Sequence, residues 1–232
     1  MLTEAQIDGK RCFFDISPNA PTLLVQAVDS HDLDGLENEI KSIRSLTAQR
    51  FSLAAFLVEN WNDELSPWPA PPVFSKQGFG GQGEATLAFL TDTLLPQFQE
   101  RLSPSALYIG GYSLSGLFAL WAASRTDAFQ GAAGCSPSVW FPGWIEYAQA
   151  HPLRAPRVYL SLGDREEKTR NPVMARVGDC VRAQYALLQS QANPIDCALE
   201  WNPGNHFVDA AQRTAKGFAW LLKRRISTGE AP

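Results

Sequence analysis

Residues Tyr108 to Ala123 constrain the fold more than any other stretch of the chain. Ala106-Leu107-Tyr108-Ile109, behind Ser103-Pro104, is a short apolar run that reads as a buried strand. Leu117-Phe118-Ala119-Leu120-Trp121-Ala122-Ala123 reads as a buried helix. Between them lie only Gly110, Gly111, Tyr112, Ser113, Leu114, Ser115 and Gly116. A strand that passes into a helix with so little chain between needs small residues where the two backbones approach. Ser113 stands at the tightest part of the turn. Strand, sharp Gly-rich turn with a central serine, then helix is the layout of a nucleophile elbow, usually written G-x-S-x-G, which pushes a hydroxyl out of the sheet to where a base can reach it. Here the fifth position is Ser115, and the glycine follows at Gly116. The same layout also serves as an ordinary crossover, so Ser113 needs partners elsewhere in the chain.

The remaining sequence alternates strands and helices around this turn. Gln6-Ile7, Asp8-Gly9 and Arg11 to Asp15 predict a β-hairpin with a two-residue turn. Thr22 to Val28 is nearly all apolar and predicts a central strand buried on both faces; it ends in the polar cluster Asp29-Ser30-His31-Asp32. An amphipathic helix is expected around Leu36 to Leu46, and another central strand over Phe51 to Val58. Glu84 to Leu102 has helical periodicity, with Pro96 as a kink or an end. Beyond the elbow come a small-residue strand (Gly131 to Ser136), a short helix (Pro142 to Ala150) and a strand (Arg157 to Leu162). A helix from about Pro172 to Gln189, a last strand (Cys197 to Trp201) and a last helix (Val208 to Arg224) complete the chain, with Lys223, Arg224 and Arg225 suited to the helix dipole. Eight strands in this order predict one α/β domain over residues 1–232, a mostly parallel sheet with helices on both faces and an antiparallel hairpin at its front edge.

Residues 59–83 are irregular and hold Trp61, Trp68 and several prolines, and a loop of that length in a compact domain is usually functional or disordered. Gly78, Gly80 and Gly83 fit G-x-G-x-x-G, but they follow a proline-rich loop and not a strand. A phosphate cradle is therefore rejected in favour of a flexible hinge into the next helix.

Composition excludes several classes. Hydrophobic residues make up 45% and charged residues 19%, with no apolar run long enough to span a bilayer. Net charge is −4 with no basic patch, which argues against nucleic acid. Met1 to Gln6 lacks the basic and apolar regions of a signal peptide, so a cytoplasmic protein is expected. Cys12, Cys135, Cys180 and Cys197 show no C-x-x-C spacing, and the three histidines show no metal-binding spacing, so neither a metal nor a cofactor is expected. Composition does not decide between a monomer and a homo-oligomer.

A serine hydroxyl is a weak nucleophile until a base takes its proton. Polar residues collect after the predicted strands, where open α/β sheets place their chemistry. His151 precedes Pro152 at a helix end and suits a surface. His31 follows another strand. His206 follows the last strand, with Gly204 giving its loop freedom, and the order Ser, acid, His of the α/β-hydrolases places it as the base. The acid then belongs after Leu162, where Asp164, Glu166 and Glu167 compete. An oxyanion hole needs two N–H groups: Leu114, just after the serine, and the loop after Val28, around Ser30. Trp61, Trp68, Trp140, Phe141 and Trp144 are candidates for the wall of an apolar or aromatic pocket.

The pieces Gly110 to Leu120, Ser136-Pro137-Ser138-Val139-Trp140-Phe141, Leu162-Gly163-Asp164-Arg165-Glu166 and Gly204-Asn205-His206 together resemble the esterase-D-like α/β-hydrolases, particularly the enterochelin esterase-like proteins. Asn62-Asp63-Glu64-Leu65-Ser66-Pro67 resembles a loop of the same family. The resemblance implies Ser113 as nucleophile, His206 as base and Glu166 as the acid. It implies a serine hydrolase of a small-molecule ester, working through an acyl-enzyme without a cofactor. A thioester, a peptide or a siderophore lactone would use the same machinery, and a catalytically silent binding protein would keep the fold alone. No arginine cluster for an anionic ferric siderophore is evident in the sequence.

Overall fold

The apolar runs form the middle of an eight-stranded sheet in the computed structural model, which describes residues 2–193 and 195–223. β1 (Thr3–Ile7) and β2 (Lys10–Asp15) make the expected hairpin, with Asp8 and Gly9 both at positive φ, as a two-residue turn between twisted strands requires. β3 (Thr22–Val28) is buried at every residue. α1 runs Ser30–Leu46 and so starts at Ser30 and not near Leu36. The cause is a cap: the Asp29 carboxylate accepts the Asp32 N–H at 2.7 Å, which makes the polar cluster the first turn of the helix. β4 (Ser52–Leu57) follows.

Residues 59–83 are packed rather than hinge-like. They contain the short helix α2 (Trp61–Glu64) and a two-residue ladder between β5 (Pro69–Ala70) and β6 (Phe79–Gly80). The Gly81, Gln82 and Gly83 N–H groups bond to Ser66 Oγ, Asp63 O and Ser66 O at 2.8–2.9 Å. α3 (Gly83–Ala88) continues through a π-helical turn, Phe89–Leu94, into α4 (Leu95–Leu102). The Leu95 N–H reaches back to Leu90 O, and Pro96 then falls in the first turn of α4, where its missing N–H leaves no gap in the ladder.

β7 (Ala106–Tyr112) leads directly into α5 (Ser113–Arg125), and β8 (Gly131–Cys135), α6 (Trp144–Ala150) and β9 (Arg157–Gly163) follow. A 3-10 turn (Met174–Arg176) opens α7 (Val177–Gln189), and β10 (Asp196–Asn202) and α8 (Ala210–Leu222) complete the described chain. The last turn of α8 holds no basic residue; Lys223 follows it, and Arg224 and Arg225 lie outside the described residues.

The strand order is β1-β2-β4-β3-β7-β8-β9-β10, antiparallel through β1, β2 and β4 and parallel from there on. One face is covered by α5 and α7, through Leu117, Phe118, Val181 and Leu188. The other is covered by α1 and α8, through Leu36, Ile40, Phe218 and Leu221. Gly110 and Gly111 serve these two faces in turn, as alternation along a strand dictates. A Cβ on Gly110 would lie 2.8 Å from the Phe218 ring, and one on Gly111 would lie 2.1 Å from Ser115 Oγ. All four cysteines are free, with Cys197 only half-buried. Among the described residues no helix is long and apolar enough to cross a membrane.

Candidate active site

Ser113 is the first residue of α5 and has φ of +56°, a left-handed conformation that a residue with a Cβ adopts at a cost of about 1–2 kcal/mol. The surroundings hold it there. The Ser138 N–H donates to Ser113 O at 3.0 Å, and the α5 ladder fixes the chain beyond. Ser115, where the motif usually has glycine, is buried, and its hydroxyl donates to Ala27 O at the end of β3 at 2.9 Å. The close approach falls one residue later. A Cβ on Gly116 would stand 2.9 Å from Gly111 O and 3.3 Å from Cys135 N. The serine–glycine order thus satisfies a β3 carbonyl and lets α5 pack against β7 and β8.

Four neighbouring parallel strands supply the site from their carboxyl ends: Ser113 follows β7, Ser136 follows β8, Glu166 lies beyond β9 and His206 lies beyond β10. Ser113 Oγ is 3.1 Å from His206 Nε2, and His206 Nδ1 is 2.7 Å from Glu166 Oε2. The Glu166 side chain is buried, 3% exposed. Burial alone would raise its carboxyl, but hydrogen bonds from His206, Ser136 and the Gly163 N–H outweigh that and hold it below the ordinary glutamate value. An ionised carboxylate only accepts, so the proton of the shared bond sits on His206 Nδ1. Nε2 is left as an acceptor for the Ser113 hydroxyl.

Sequence reasoning missed the groups that hold this arrangement. Glu166 Oε1 accepts from Ser136 Oγ at 2.6 Å, from the Gly163 N–H at 2.7 Å and from Arg213 Nη1 at 2.9 Å. Arg213, on α8, is buried. Its Nη1 also donates to the Tyr112 hydroxyl at 3.0 Å, and its Nη2 donates to Pro203 O at 2.9 Å and Asn205 O at 3.0 Å. One guanidinium therefore joins Glu166, the end of β7 at Tyr112 and the loop that carries His206. The Tyr112 hydroxyl in turn donates to His206 O at 2.8 Å; burial pushes it up to about 12, so it remains a phenol and a donor. No local pattern marks Arg213, which reads as an ordinary polar-face residue of an amphipathic helix.

The other candidates are placed differently. Asp164 is exposed and accepts the Gly204 N–H at 2.8 Å; Glu167 pairs with Arg182 at 3.3 Å. Neither has a bond to His206. Leu114 is the second residue of α5, so its N–H has no acceptor within the helix and points out of the positive end of the helix dipole. Ser30 is exposed and opens α1, so its N–H belongs to a helical first turn and not to a loop. His31 lies in the same turn, and His151 stacks on Tyr147 at 4.2 Å.

A cavity of about 230 Å³ opens beside His206, and of the aromatic candidates only Trp140 lines it. Phe141 and Trp144 are core residues, and the Trp144 indole donates to Gln184. Trp68 packs on Phe141 and Tyr147 and donates to Pro142 O at 3.0 Å; Trp61 packs against the core. Apart from Trp140, these rings pack on one another and against the core. Among the described residues no group of three or more His, Cys, Asp or Glu side chains could hold a metal ion.

No family model matches the sequence, and no curated protein matches it significantly. Solved structures do. An IroE-like serine hydrolase from Shewanella oneidensis superposes with a TM-score of 0.79 over 96% of this chain and 80% of that one, at 14% identity. Siderophore hydrolase EstA from Aspergillus nidulans gives 0.69 over 95% of this chain and 94% of its own, at 16% identity. The chain has the α/β-hydrolase fold. The enterobactin and salmochelin hydrolase IroE, with a TM-score of 0.62 over 96% and 92% at 13% identity, shares it too. Within the α/β-hydrolase fold the mixed sheet, with its two antiparallel pairings at one edge, leaves the four site-bearing strands parallel and adjacent.

Proposed function

We propose that this α/β-hydrolase-fold protein is a serine hydrolase that cleaves a carboxylic ester through an acyl-enzyme. The observation that carries the reading is the unbroken line of hydrogen bonds from Ser113 Oγ through His206 to the buried Glu166. His206 Nε2 takes the Ser113 proton as Oγ attacks the ester carbonyl. The resulting oxyanion is met by the Leu114 N–H and by an N–H of the first turn of α1, around Ser30, each such donor contributing about 3 kcal/mol. His206 then returns the proton to the leaving alcohol oxygen as the C–O bond breaks. A water molecule, deprotonated in the same way, releases the acid. Glu166 keeps the imidazole in the required tautomer and stabilises its cation.

The test is hydrolysis of a short p-nitrophenyl ester by the purified protein and by Ser113→Ala. The variant should lose roughly 10⁴- to 10⁶-fold in turnover and all labelling by a fluorophosphonate. A Ser113→Ala variant with full activity refutes the assignment. A siderophore lactone is a second reading of the same machinery, favoured by two structural neighbours that are siderophore hydrolases. A panel of iron-free and ferric trilactones beside simple esters separates the two.

A further inference from the structure

The cavity beside His206 combines two kinds of wall. Trp140, Met174, Val177 and Phe207 make it apolar, and Arg165 and Lys168 bring two cations to it. Phe207 is 89% exposed and meets the His206 ring edge-on at 5.6 Å, so a large aromatic face is presented to solvent next to the base. Neither cationic head has a hydrogen-bond or ion-pair partner among the described residues. The acids of the same segment are all engaged elsewhere: Asp164 with the Gly204 N–H, Glu166 with His206 and Arg213, and Glu167 with Arg182. A protein of net charge −4 thus places two cationic side chains without an ion-pair partner among the described residues against one cavity at its candidate base.

Resting on the esterase reading above, we infer that this cavity receives the leaving alcohol of the ester, and that the alcohol is a single aromatic ring bearing a carboxylate. We place the alcohol on this side because the protonated His206 must deliver its Nε2 proton to the leaving oxygen, and His206 is itself part of this cavity's wall. The size follows from the volume, which lies below the range of drug-sized ligand sites. Phe207 and Trp140 offer faces and edges to a ring, and Arg165 and Lys168 offer charge to an anion on its far side. The step balances as in any acyl transfer: the Ser113 Oγ–acyl bond forms, the acyl–aryloxy bond breaks, the Ser113 proton leaves on the phenol, and the carboxylate is unchanged.

Two acetyl esters test this, 4-acetoxybenzoate and its uncharged methyl ester. The quantity read is the ratio of their kcat/KM values, compared between the wild type and the Arg165→Ala/Lys168→Ala double variant so that intrinsic reactivity cancels. The ratio should fall roughly five- to twentyfold in the double variant, as two exposed ion pairs imply. Added salt at about 0.5 M should lower it in the wild type and leave it unmoved in the variant. Arg165→Glu/Lys168→Glu should shift preference toward 4-(trimethylammonio)phenyl acetate. If both esters are hydrolysed and the ratio is the same in the wild type and both variants, the anion subsite is overturned and the esterase reading stands. If neither ester is hydrolysed and a fluorophosphonate does not label Ser113, both fall.

Discussion

Replacing Arg213 by methionine keeps most of the apolar stem and removes every bond of the guanidinium fork. Glu166 Oε1 then retains two donors, Ser136 Oγ and the Gly163 N–H, whereas Pro203 O and Asn205 O lose the donor at 2.9 and 3.0 Å. Breaking a buried ion pair by removing one partner costs about 3–5 kcal/mol. The two donors left on Glu166 place this case near the lower end, at about 3 kcal/mol. Turnover should suffer by a comparable amount. Both released carbonyls flank Gly204, whose freedom is needed at φ of +103°, and they lie immediately before His206. A loop that drifts by about 1 Å carries the imbalance to the Ser113–His206 bond, which costs about 100-fold in kcat with little change in KM. Arg213→Lys keeps the charge but cannot fork across two carbonyls and the carboxylate, so it should fall between the two. Urea unfolding and steady-state kinetics on an uncharged ester measure both effects. A methionine variant with the wild-type urea midpoint and kcat within twofold of the wild type would refute the tether.

Four further outcomes are expected. Glu166→Gln should lower kcat by about 10²- to 10⁴-fold by removing the acceptor that fixes the imidazole tautomer, while Asp164→Asn changes it by no more than severalfold; equal losses would move the acid. Glu166 titrates below its ordinary value when folded, so its stabilisation is complete above about pH 4.5 and is lost as pH falls through the folded value; acid unfolding curves of Glu166→Gln should lack that component. Glu39 behaves oppositely: burial and the nearby Asp32 push it up to about 8 against a bond from Gln26, so it stabilises fully below about pH 4.5 and loses that contribution as pH rises toward 8. Glu39→Gln should therefore gain stability on the wild type between pH 5 and 8, by several kcal/mol at the upper end, and a pH-independent difference in melting temperature would contradict the burial argument. Finally, Gly116→Ala should destabilise by about 1–3 kcal/mol, because its Cβ meets backbone at Gly111 O and Cys135 N that has no room to yield; thermal unfolding at the wild-type temperature would show that α5 can lift off the sheet.

Strands and elbow were legible in the sequence because burial on both faces leaves unbroken apolar runs, and a strand joined to a helix by two glycines and a serine has few ways to fold. The start of α1 was not, since a capped first turn, Ser30-His31-Asp32, is polar and carries no apolar period. Ser113 and His206 could be proposed from chain order, whereas three acids within four residues could not be separated by order alone; only the fold aims Glu166 inward and leaves Asp164 and Glu167 outside. Of the pocket-wall candidates, Trp140 lines the cavity and the others pack elsewhere, for a related reason. Tryptophans on irregular loops look like pocket residues, but Trp68 is committed to Phe141, Tyr147 and Pro142, contacts that cross more than seventy positions of sequence. Beside Trp140, the apolar part of the cavity wall comes from Phe207, Met174 and Val177, which no periodicity singles out.

The dependence of the site on α8 has a consequence for the order of events during synthesis. The strands in the middle of the sheet, β3, β4 and β7, can pair as the chain emerges, since their ladders need nothing beyond Tyr112. Ser113 follows at once, and the Ser138 N–H that holds its carbonyl comes with the segment after β8. Glu166 and His206 follow on the last two strands, but the buried fork that binds them arrives only with residue 213, near the end of the described chain. On the proposed reading, a nascent chain carries Ser113 long before Glu166 and His206 are tied in place beside it, and docking of the final helix completes that arrangement.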